Sequence, residues 1–74
     1  MKNLIDARVR VAKAEQRVED AKSRMVEAAR TMMFATDGRV GEAQREYAKA
    51  DRAIVTAIRA LDKAEREARA LQGA

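Results

Sequence analysis

The chain has 74 residues, a length at which a single small core barely stabilises itself. Charged residues make up 38% and aromatics 3%, and there is no proline, cysteine or histidine. That composition suits long helices and removes disulfide staples, thiolate metal sites and the commonest general base. The net charge of +4 is evenly spread, since residues 1–37 and 38–74 each carry eight basic and six acidic groups. A dedicated nucleic-acid binder concentrates its charge in a patch or tail, and this chain has no such tail.

Asn3 is placed to cap a first helix, with Asp6 as an acidic group in the first turn. From there apolar residues recur at positions 4, 7, 11, 14, 18, 21, 25, 28, 32 and 35. This 3-4 spacing is the a/d seam of helices that pack as a coiled coil. The a positions are Leu4, Val11, Val18, Met25 and Met32, and every d position is alanine. Thr36-Asp37-Gly38-Arg39 reads as a turn, in which Gly38 can supply the left-handed conformation that ends a helix. Either Asp37 or Gly38 caps the second helix. The seam then resumes at 40, 43, 47, 50, 54, 57, 61, 64, 68 and 71, and Gly73 marks the end. The expectation is one all-α domain over residues 1–74, with a helix over 3–36, a turn over 36–39 and a helix over 40–72.

Folded as an antiparallel hairpin, the two seams pair Ala35 with Val40, Met32 with Ala43, Ala28 with Tyr47, Met25 with Ala50 and Ala21 with Ile54. Further out come Val18 with Ala57, Ala14 with Leu61, Val11 with Ala64, Ala7 with Ala68 and Leu4 with Leu71. All but the last two layers set one large residue against one alanine, the constant volume that close packing requires. Beside this seam Arg8 comes near Glu65, Lys22 near Asp51 and Arg10 near Glu67, which favours the same register. The rival is one uninterrupted helix assembling between molecules. The skipped residue between Ala35 and Val40, and the glycines at 38 and 41, argue against it.

The flanks of the hairpin differ. Positions b and e carry Ile5, Ala12, Val26, Ala29 and Met33 from the first helix and Ala48, Val55 and Ile58 from the second. Positions g and c carry Arg10, Lys13, Arg17, Arg24, Lys49 and Lys63. An apolar face on a hairpin too small to be stable alone marks an interaction surface. The expected use is self-association into a homodimeric four-helix bundle, or binding of a larger protein.

Arg45, Arg52, Arg59 and Arg66 repeat every seven residues and form a stripe able to track phosphates or contact a partner. Local pairing, as of Asp62 with Arg66 and Glu65 with Arg69, and the neighbouring acids Glu42, Glu46, Asp51 and Glu67 dilute its field. Tyr47 falls in the seam and Phe34 is the remaining aromatic, so base stacking has little to work with. No glycine-rich phosphate loop, nucleophile beside a base or metal-ligand spacing occurs. The expectation is therefore no enzyme activity, no cofactor and no metal. The run 31–36 is too short to span a bilayer and the N-terminus lacks a signal-peptide stretch, which makes a cytoplasmic protein the expectation.

In length and in the alternation of large and small layers, the hairpin resembles Rop, the small plasmid-encoded RNA-binding regulator that forms a dimeric bundle. No functional residue of that family maps onto this sequence. The functional expectation is a small adaptor or inhibitor that occludes a larger protein, of the type phages or mobile elements encode. A nucleic-acid-binding regulator using the arginine stripe is the alternative, and a structural coiled-coil assembly component the third.

Overall fold

A computed structural model of the chain describes residues 3–36 and 38–73. Two helices, α1 (Leu4–Met33) and α2 (Val40–Gly73), pack against each other as a hairpin. The hairpin measures 57 × 16 × 13 Å, with a radius of gyration of 16.7 Å, against about 11 Å for a globular chain of this length. It is a rod, and most of its surface is flank.

α1 begins as its sequence dictates. The Asn3 Oδ1 accepts a 2.8 Å hydrogen bond from the Asp6 N–H, and the Asn3 carbonyl accepts the first helical bond from Ala7. This occupies a donor that the first turn would otherwise leave without a partner. The other end departs from expectation. The helix stops at Met33, three residues short of Thr36, with Phe34 at φ −106°, ψ 9° as its cap. The Ala35 N–H donates to the Met32 carbonyl at 3.5 Å, so the last turn tightens before the chain leaves the helix.

The turn falls where the sequence places it, but by different means. The Arg39 N–H donates to the Thr36 carbonyl at 2.8 Å, closing a four-residue turn. No described glycine has a positive φ, so Gly38 does not supply a left-handed residue. The Arg39 carbonyl accepts the first helical bond of α2, from Ala43 at 3.0 Å. Arg39 therefore stands at the cap position expected of Asp37 or Gly38, and its side chain has no acceptor to offer the first turn. Asp37 itself lies outside the described residues.

Packing follows the predicted layers. Val18, Ala21 and Ala57 form a buried cluster with Ala53, Ile54 and Leu61 against it, which brings together residues of adjacent predicted layers. The buried residues are almost all alanines: Ala7, Ala14, Ala21, Ala28, Ala43, Ala50 and Ala57, with Val18. The larger seam residues Leu4, Val11, Met25, Tyr47, Ile54 and Leu61 remain half-buried, and Met32 and Val40 are exposed. The alanines at d are thus the covered members of the layers, and the large partners at a stay partly open.

Candidate interaction surface

On a helical wheel the a positions adjoin b and e, while d adjoins g and c. In an antiparallel pair the a, b and e positions of both helices share one side. The half-open large seam residues therefore merge with the flank singled out in sequence. Every residue of that flank is accessible. Ile5 is 75% exposed, Met33 78%, Val26 50% and Ile58 49%, and Val55 and Ala48 are also exposed; Ala29 is half-buried. Phe34, at the turn beside Met33, is 79% exposed. Side chains this apolar and this open lack the cover that a protein core provides.

Charged residues interrupt the same side. Arg8, Glu15, Glu65 and Arg69 border one shallow groove with Val11, Ala12 and Ala68, and Glu15, Glu19 and Lys22 border the next with Val18 and Leu61. Arg8 and Glu65 thus line one groove without forming an ion pair. Lys22 pairs with Glu19 on its own helix at 3.7 Å, and not with Asp51. Of the three cross-hairpin pairs expected, Arg10 with Glu67 forms, at 3.3 Å. The pair that forms joins two g positions, and the two that do not were expected between e positions.

The opposite side is a trough floored by Ala14, Ala21, Ala57 and Ala60 and walled by Arg10, Lys13, Arg17, Arg24 and Lys63, with Asp20 and Glu67 among them. The arginine stripe runs along the outer surface of α2. Arg66 pairs with Asp62 at 2.9 Å, whereas Arg45, Arg52 and Arg59 are exposed and make no ion pair among the described residues. The expected Glu65–Arg69 pair does not form among them either. Val9, 46% exposed on the outer face of α1, belongs to neither flank, and the a/d pattern gave no reason to notice it.

Among the described residues no group of acidic side chains is arranged to hold a metal ion, and no helix is long and apolar enough to cross a membrane. Comparison of the chain with protein-family models, curated proteins and solved structures gave no match, so the likeness to Rop rests on length and layer alternation.

Proposed function

We propose that the chain acts by binding and not by catalysis: a small adaptor or inhibitor that occludes a surface of a larger protein, built on a homodimeric four-helix bundle. The observation that carries this reading is the one-sided opening of the hairpin, where Val26, Met33, Val55 and Ile58 stand exposed beside half-covered seam residues. Self-association covers the flank, and the turn with Phe34 is then left to a foreign protein. Cytoplasmic action and a phage or mobile-element origin complete the proposal.

Two measurements test it. Sedimentation equilibrium is expected to give twice the chain mass, and Val55→Glu with Ile58→Glu to give monomer or unfolded chain. Affinity capture is then compared between the wild type and Phe34→Ala, which leaves the seam untouched. A protein retained by the first and lost by the second supports occlusion through the turn. Identical retention by both sinks it.

Nucleic-acid binding is the second reading, favoured by Arg45, Arg52 and Arg59, which have no ion-pair partner among the described residues. Fluorescence anisotropy against mixed DNA and RNA at physiological salt separates the two. If the stripe binds phosphate, Arg52→Gln with Arg59→Gln flattens the salt slope by roughly one unit per lost contact. The expected outcome is weak binding, because the net charge is only +4 and Glu42, Glu46 and Asp51 adjoin the stripe. A coiled-coil assembly role without a separate ligand corresponds to a dimer that retains neither protein nor nucleic acid.

A further inference from the structure

The exposed flank carries an internal symmetry that says how its occupant lies. Along α1, reading inward from the two ends, Ile5 answers Met33, Ala12 answers Val26, and Glu15 answers Lys22. Apolar residues are matched with apolar ones and the acid with the base, and all three pairs centre on residue 19 or just before it; the remaining pair, Arg8 with Ala29, shares that centre without matching in kind. Along α2, Val55 and Ile58 stand astride residues 56 and 57. Val18 and Ala57 share one buried cluster, so in the predicted register residue 19 of α1 lies level with residue 56 of α2. The two helices have their centres of symmetry at the same height, although nothing within the hairpin requires it.

Resting on the homodimer reading above, we propose that a second copy of this chain lies across the a/b/e flank with its turn at the opposite end. The two-fold axis passes between Glu19 and the Val55–Ile58 pair. α1 then runs antiparallel to α1 of the second copy, and α2 to its own copy. Val55 and Ile58 from both chains form the central apolar cluster. Ala12 with Val26 and Ile5 with Met33 close the layers toward each end, and Glu15 meets Lys22 of the second copy twice by symmetry. This arrangement brings Met33 of the second copy to Ile5, which is 75% open, while it sets Arg8 over Ala29 and Glu65 over Ala48.

The alternative with both turns at one end covers the apolar residues less well, although it brings Lys22 to Asp51 and Arg8 to Glu65. It sets Val55 and Ile58 against Glu19 and Glu15, and Ile5 near Arg69, placing charges against apolar groups that should be covered. Area argues for overlap along the whole length. The chain exposes 5966 Å² at 8.2 kDa, about 1,400 Å² more than the roughly 4,500 Å² of a globular chain of that mass. A stable interface takes about 800 Å² from each partner, and a full-length antiparallel overlap along the 57 Å rod covers that area. The same axis brings Glu19 against its own copy and Asp51 against Asp62. These like charges weaken the dimer without changing its register.

The absence of cysteine makes a distance measurement direct. A β-carbon at Gly38 meets nothing within 4 Å, so Gly38→Cys accepts a nitroxide spin label without disturbing either helix. Dipolar spectroscopy is expected to give about 55 Å between labels on the two chains, from the helix rise and the axis at residue 19. A separation under about 30 Å in a protein that sediments as a dimer overturns the arrangement and leaves the dimer standing. A monomer overturns both and assigns the flank to a foreign protein. Charge exchange supplies the second readout. Glu15→Lys and Lys22→Glu each create like-charge pairs in their homodimers, while their mixture restores opposite charges at both sites. The mixed dimer is expected over either homodimer by about tenfold, and statistical mixing overturns the proposed contact. Glu19→Gln is expected to tighten self-association several-fold, and an unchanged dissociation constant removes residue 19 from the axis.

Discussion

The Arg10 guanidinium crosses the hairpin to Glu67, Nη1 to Oε2 at 3.3 Å, and so ties the N-terminal part of α1 to the C-terminal part of α2. Lys22, Arg30, Lys49 and Arg66 instead pair with acids three or four residues away on their own helices. Pairs of the second kind support a helix wherever it lies, whereas Arg10 with Glu67 distinguishes one register from its neighbours.

A double-mutant cycle of Arg10→Ala and Glu67→Ala should return a coupling of about 0.2–1 kcal/mol, as for other accessible ion pairs. Urea unfolding at low and high salt reads it, with the coupling falling as salt rises. A coupling that persists unchanged at about 1 M salt would mean the pair is held by packing of the arginine stem and not by charge.

The alanine seam predicts an asymmetric response to added volume. Ala21→Leu or Ala57→Leu places a large side chain where Val18, Ile54 and Leu61 already fill the space, at a cost of about 1–3 kcal/mol. Ala21→Ile combined with Ile54→Ala keeps the layer volume and should recover much of that loss. Thermal unfolding at fixed protein concentration decides the matter, and a rise in Tm for either single substitution contradicts the close approach of the helices.

The two helix starts should respond in opposite directions. Asn3→Ala removes the 2.8 Å cap to Asp6 and is expected to cost about 0.5–2 kcal/mol. Arg39→Asp supplies at α2 the acceptor and the negative charge that its first turn lacks, and should stabilise by about 1 kcal/mol. Gly41 is helical with open space at its missing β-carbon, so Gly41→Ala should add roughly 0.5–1 kcal/mol. Chemical denaturation at constant m-value checks all three.

What could be read from the sequence was whatever repeats. The heptad spacing and the large-small alternation point to two helices packed as a hairpin with Val18 and Ala57 in one buried cluster, because each layer reinforces the next. Single positions without repetition were harder. Asp37 and Gly38 look like turn and cap residues by type, yet the cap falls at Arg39, because the turn closes on Thr36 and leaves no room for an earlier start. Lys22 has candidate acids on both helices, and it pairs with Glu19, one turn away on its own helix, without crossing the seam. The apolar flank was visible from spacing. That the large seam residues lean toward that flank became visible once the alanines proved to be the buried members of each layer.

The hairpin's connectivity also sets the order in which it comes apart. Its layers join residues that are close along the chain beside the turn, at Met32 and Ala43, and progressively more distant ones out to Leu4 and Leu71 at the termini. Closing each outer layer on an already formed inner one adds only a short new loop, whereas closing the termini first would cost the entropy of the whole chain. Building outward from the turn is therefore the less costly order, and amide exchange should be graded along the rod, fastest in the first turn of α1 and the last turn of α2. With the large member of most layers only half-buried, no single layer is strong enough to act as a latch.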